Sequence, residues 1–176
     1  MTPAVYVVAG RARSGKTTIG RALAQHIGAT LLDQDVLTNP LMSQIARIAG
    51  VAEHDLDHPA LTAGPIRRAR YQCLVDAAVD NISIGRPAVL VAPFTQEIRD
   101  RKKWSETFAD LGDAPMTLVW VTVPPEVAER RRRARGLPRD VAANLDDRKT
   151  LVAPAVDHIP VDGTQPVVDI VAALIG

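Results

Sequence analysis

Aromatic side chains are scarce in this chain, with two Phe, two Tyr and two Trp among 176 residues. Proteins that hold single-stranded nucleic acid stack bases on aromatic rings, so this shortage argues against that class. Cysteine is nearly absent. The single Cys73 excludes an internal disulfide and fits a reducing cytoplasm. Its helical spacing with Ile66, Ala69 and Ala77 predicts a buried packing role. No apolar run approaches the ~20 residues of a membrane-spanning helix. The first residues lack the basic and apolar regions of a signal peptide. The net charge is +1, which gives no bulk attraction to nucleic acid. Apolar residues make up 47% of the chain, enough for a full-sized core. These features predict one cytoplasmic domain over residues 1–176, with neither nucleic acid nor membrane as partner, as a monomer or homodimer.

The chain does contain a phosphate-binding pattern. Gly10-Arg11-Ala12-Arg13-Ser14-Gly15-Lys16-Thr17-Thr18 fits G-x-x-x-x-G-K-[ST]. Ala4 to Ala9 before it reads as a short buried strand. Ile19, Leu23 and Ile27 after it recur at helical spacing, with Gly28 placed to cap the helix end. Gly10 and Gly15 allow a tight turn that brings backbone N–H groups to phosphate oxygens, and the helix N-terminus adds partial positive charge. This pattern assigns Lys16 to the β- and γ-phosphates of ATP, and the Thr17 hydroxyl to Mg²⁺.

Thr30 to Leu32 reads as a second strand, followed by Asp33-Gln34-Asp35 at the edge where ligands of open α/β sheets collect. Asp33 is expected to hold Mg²⁺, and Asp35 to take a proton from the attacking substrate hydroxyl. Either acid also suits the N-cap of a helix over residues 36–48. Gly50 to Gly64 is polar and irregular. Its His54, Asp55, Asp57 and His58 match no metal-ligand spacing, and the stretch is expected to be a surface loop. Residues 66–84 read as a long helix carrying Arg67, Arg68 and Arg70, expected on a solvated basic face, with the alternative that one of them reaches an anionic substrate group by a bidentate contact.

Ala88 to Ala92 is a central strand by its continuous apolar character. Pro93-Phe94-Thr95 ends it, and a helix is predicted over residues 96–111 with Trp104, Phe108 and Leu111 facing inward. Phe94 and Arg99 are candidate substrate contacts. Residues 116–123 form a fourth strand, and Pro124-Pro125-Glu126 opens a helix into Glu129-Arg130-Arg131-Arg132-Arg133-Ala134-Arg135-Gly136. A segment this rich in arginine can close over a nucleotide and stabilise the transferring phosphoryl group. Arg131 and Arg135, one turn apart, are the candidates, in a lid over about 125–149. A last strand is predicted around Val156 to Ile159 and a last helix over residues 167–175.

The P-loop, the Asp33-x-Asp35 pair and the arginine-rich segment together resemble the small P-loop kinases. That group includes shikimate kinase, gluconate kinase and chloramphenicol phosphotransferase. The resemblance implies an α/β fold of three αβα layers, a five-stranded parallel sheet in the order 2-3-1-4-5, and an arginine-rich lid. It also implies ATP and Mg²⁺. Nucleotide contacts would come from residues 10–18 and Arg131, catalytic roles from Lys16, Asp35, Arg131 and Arg135, metal contacts from Thr17 and Asp33, and acceptor contacts from Asp33, Asp35, Phe94 and Arg99. Ala92-Pro93 stands where such kinases often carry an acidic residue after the third strand. The implied activity is transfer of the γ-phosphate to a hydroxyl of a small polar metabolite or antibiotic. The alternatives are a nucleoside or nucleotide kinase, or a nucleotide-binding regulatory or toxin-like module.

Overall fold

Five short strands lie parallel in one sheet, in the order β2-β3-β1-β4-β5. A computed structural model describes residues 3–52, 55, 58–62, 64–135 and 152–176. The described elements run β1 (Val5–Gly10), α1 (Lys16–Ile27), β2 (Thr30–Asp33), α2 (Gln34–Ile48), α3 (Pro59–Thr62), α4 (Gly64–Ser83), β3 (Ala88–Ala92), α5 (Arg101–Thr107), β4 (Met116–Thr122), α6 (Pro125–Arg135), β5 (Ile159–Asp162) and α7 (Val167–Ile175). The register pairs Ala9 with Ala92 and Gly10 with Val121, so the loop after β1 emerges at the carboxyl edge between β3 and β4.

The central strands are apolar throughout because both faces are covered. Val5, Val7 and Ala9 point to one side, with Leu32, Leu90 and Leu118, against Tyr71, Leu74, Val75 and Ala78 of α4. Val8 points to the other, with Val89, Val91, Val119 and Val121, against Ile19 and Leu23 of α1 and Ile170 and Val171 of α7. Period-two alternation thus builds two cores from one sheet. Gly20 of α1 sits so close to the sheet that a Cβ there would lie 2.4 Å from Val91 Cγ2. That proximity brings the start of α1 against the sheet's carboxyl edge.

Four sequence readings are corrected. Cys73 is exposed. Tyr71, Leu74, Val75 and Ala78 also recur at helical spacing, and these larger side chains take the inward face of α4. The helix predicted over 96–111 is broken. A 3₁₀ turn at Glu97–Arg99 stops at Asp100, which is extended (φ −141°) and caps α5 by accepting from the N–H groups of Lys102 and Lys103. The last strand begins at Ile159, later than expected, because β5 is an edge strand and tolerates Pro160. The polar loop after Gly50 contains the short α3, whose Leu61 packs on Met42 and Ala46. His54, Asp57 and the lid stretch beyond Arg135 lie outside the described residues, as does the side chain of Arg135.

Candidate active site

The P-loop owes its shape to glycines and one strained residue. Gly10 has φ 159°, and a Cβ there would lie 2.4 Å from the Val121 carbonyl oxygen. Gly15 caps α1 in the left-handed region at φ 99°. Arg13, between them, also has positive φ, at 66°. Left-handed geometry in a non-glycine residue costs on the order of 1–2 kcal/mol, so neighbouring contacts must hold it there. Ser14 is buried, and its Oγ has no hydrogen-bond partner among the described residues. A phosphate oxygen in the loop would satisfy that hydroxyl, so the loop fits a nucleotide's phosphates. Lys16 and Thr17 open α1 half-buried; Ala12 and Thr18 are exposed.

Arg131 reaches back from α6 to this loop. Its Nη1 donates to the carbonyls of Arg13 at 3.2 Å and Ser14 at 3.1 Å, and its Nη2 donates to the Gly163 carbonyl at 2.7 Å. Its neighbours face elsewhere. Arg132 and Arg133 both bond Glu129, which lowers the Glu129 carboxyl to about 2.

The two acids after β2 occupy different environments. Asp33 is buried and caps α2, accepting the Asp35 N–H at 2.9 Å. Asp35 has 60% of its side chain exposed and lies 3.6 Å from Arg70 Nη2. Arg70 is fixed in turn by Thr38 Oγ1 at 3.0 Å and Asn39 Oδ1 at 3.1 Å. Since β3 separates β2 from β1, the acids stand two strand spacings from the P-loop strand, roughly 10 Å.

Elsewhere on α4, that helix and residues 96–107 enclose a cleft of about 480 Å³, lined among others by Arg67, Arg68, Tyr71, Gln96, Glu97 and Lys103. Sequence reading missed Glu97 altogether. It is buried, and Arg67 donates to both its oxygens, with Nη2 to Oε2 at 2.8 Å. Arg67 therefore leaves the solvated face predicted for it. Its guanidinium also covers the Tyr71 ring at 4.6 Å and donates to the phenol oxygen at 3.3 Å. Nothing local in the sequence announces a pair thirty residues apart; the only signal was an acidic residue just past a strand's carboxyl end.

Phe94 does not line this cleft. It is fully buried, stacked on Tyr71 at 4.7 Å and tilted against Phe108 at 5.3 Å, so direct substrate contact by its ring is ruled out in this arrangement. Its φ of 45° turns the chain sharply away from β3. Arg99 stands exposed on the 3₁₀ turn beyond it. Among the described residues no three His, Cys, Asp or Glu side chains converge as metal ligands. No described helix is long and apolar enough to cross a membrane.

A family profile described as an AAA domain (AAA_33) matches residues 5–153. The chain belongs to this P-loop kinase family. It is 32% identical over 148 residues to a cytidylate kinase of Methylobacterium sp. (strain 4-46), covering 75% of this chain and 69% of that one. It is 29% identical over 176 residues to a shikimate kinase of Moorella thermoacetica, covering 93% and 88%. The fold also matches a sugar kinase from Janibacter sp. HTCC2649, with TM-score 0.66, 18% identity and coverage of 98% and 92%. The chain therefore shares its architecture with a kinase of this fold.

Proposed function

We propose that this protein is an ATP-dependent phosphotransferase that moves the γ-phosphate of ATP to a hydroxyl of a small polar molecule. The observation that carries this reading is an exposed carboxylate, Asp35, held by Arg70 at the same sheet edge as a preformed P-loop. Bound ATP would supply the phosphoryl group, and Mg²⁺ would offset charge on its oxygens. Lys16 and the loop amides would grip the phosphates, and Thr17 and Asp33 would hold the ion, directly or through water. The acceptor oxygen bonds to the γ-phosphorus as the bond to ADP breaks, and Asp35 takes the hydroxyl proton. Arg131 would serve the nucleotide half of the site through its bonds to the P-loop carbonyls, and Arg135 would be the lid arginine of that half. Catalysis would rest on positioning and charge, because phosphoryl transfer asks little covalent work of the protein.

The cleft beside α4 is our candidate acceptor site. The identity to a cytidylate kinase favours a second reading, a nucleotide acceptor. That reading needs a ring face on which a base can stack. One face of Tyr71 is taken by Phe94 and the other by Arg67, and Phe94 itself is buried. Paired charges, amides and hydroxyls line the cleft instead, which suits a sugar-like or polyol-like acceptor. The test is ADP release from ATP and Mg²⁺ across sugars, sugar acids, shikimate-like compounds, aminoglycosides and CMP. Stimulation by CMP alone would replace the sugar-like acceptor with a nucleotide. ATP binding with no stimulation by any acceptor would point to a regulatory or toxin-like module.

A further inference from the structure

One guanidinium joins three separate parts of the chain at the candidate nucleotide site. Arg131 comes from α6, the Arg13 and Ser14 carbonyls from the P-loop, and the Gly163 carbonyl from the turn between β5 and α7. Gly163 is itself packed against the loop. A Cβ there would lie 2.1 Å from the Ser14 carbonyl oxygen and 3.0 Å from Cγ1 of both Val121 and Val123. Its N–H donates to the Thr122 carbonyl at 2.8 Å, and Asp162 accepts from the Thr164 N–H and hydroxyl, each at 2.8 Å. The turn is thus a rigid partner for the arginine to hold.

We propose that Arg131 is a positioning residue, a latch that presets the P-loop for phosphate by holding two of its carbonyls on the side away from the ligand. In a trans peptide the C=O and the following N–H point in opposite directions. Fixing the Ser14 carbonyl toward Arg131 therefore aims the Gly15 N–H the other way. The same latch holds Arg13 in its left-handed conformation, which the residue would leave if released. A guanidinium suits this task because its donors form a planar fork that spans two carbonyl directions at once. A lysine ammonium is a single point and cannot bridge the loop and the turn in the same way.

This inference rests on the phosphotransfer reading for its use, but its geometry can be tested without any ligand. The experiment measures amide hydrogen exchange in the nucleotide-free protein and then titrates ADP and ATP, with Mg²⁺, by calorimetry. It compares the wild type with Arg131→Lys, Arg131→Ala and Gly163→Ala. The last variant keeps the arginine and pushes the turn off the loop. Exchange over residues 13–16 should rise on the order of tenfold or more in Arg131→Ala and Gly163→Ala, with the α1 core around Leu23 unchanged. ADP and ATP should weaken equally, each by on the order of tenfold or more, with Arg131→Lys intermediate. Unchanged loop exchange in every variant that folds overturns the latch. Intact ADP affinity with reduced transfer also overturns it, and would place Arg131 on the transferring phosphoryl group instead. If the wild type binds no nucleotide while loop exchange rises as expected, the functional reading falls and the latch stands.

Discussion

Asp33 accepts the backbone N–H of Asp35 at 2.9 Å, so one acid of the pair orients the segment that carries the other. Asp33 is buried at the end of β2, and Asp35 stands mostly in solvent on the first turn of α2. Capping fixes Asp33 in place but uses only one of its carboxylate's lone-pair sites, so metal contact remains open to it.

The proton-accepting role proposed for Asp35 gives a sharp expectation. Asp35→Asn should lower transfer at least ~100-fold, the scale of a lost general base. Magnesium-ATP affinity should stay within about threefold, because no phosphate contact is removed. Single-turnover kinetics alongside calorimetry would separate the two. Loss of both together would move Asp35 to the metal or to a structural role.

Asp33→Ala acts on a different quantity. The variant loses an N-cap bond, which costs about 1 kcal/mol and up to ~2. It should also raise the magnesium concentration needed for half-maximal activity. Urea denaturation measures the first effect and a magnesium titration the second. Wild-type magnesium dependence in a destabilised variant would leave Asp33 as a cap alone.

Lys16→Ala should abolish ATP turnover while the melting transition stays near that of the wild type. On the proposed reading the ammonium would contribute charge at the phosphates, and Lys16 belongs to neither core cluster. Turnover at the wild-type rate in this variant would refute the P-loop assignment.

The parts of this site legible in the sequence are those set by neighbours along the chain. The P-loop is nine consecutive residues, and Asp33 and Asp35 follow a strand directly. The strand order came from resemblance to a family rather than from local signals. Long-range pairs stayed hidden. Arg67 finds Glu97 and Arg131 finds Gly163 only after β3 and β5 have been placed in the sheet. Phe94 and Cys73 were misread for a related reason. Apolar spacing shows that a helix or strand end has an inner face, but packing against the rest of the fold decides which residues occupy it.

The Arg67–Glu97 pair should behave as a buried, coupled unit. Removing one partner strands the other charge in a poorly solvated place. Arg67→Met or Glu97→Gln alone should therefore cost about 3 kcal/mol. The double variant Arg67→Met/Glu97→Gln should cost less than the sum of its singles, because no uncompensated charge remains. Guanidinium denaturation of the four proteins gives the coupling. Strict additivity would mean that solvent or another group already compensates each charge.

Burial raises the Tyr71 phenol from 10.0 to about 12, against the opposing pull of the Arg67 cation. Folding therefore favours the protonated phenol. Its contribution is complete below pH 10, the unfolded value, and disappears as pH rises through about 12. At ~1.4 kcal/mol per unit, the two-unit shift amounts to about 3 kcal/mol of stability lost across that window. An ultraviolet titration of the native protein should show one tyrosine ionising near 12, and Tyr71→Phe should remove that step. Stability of Tyr71→Phe measured between pH 9 and 12, a window set by the same shift, should fall less steeply than that of the wild type. If both proteins lose stability in parallel, Tyr71 is reached by solvent and its enclosure by Phe94 and Arg67 is incorrect. A base-stacking acceptor would then regain its footing.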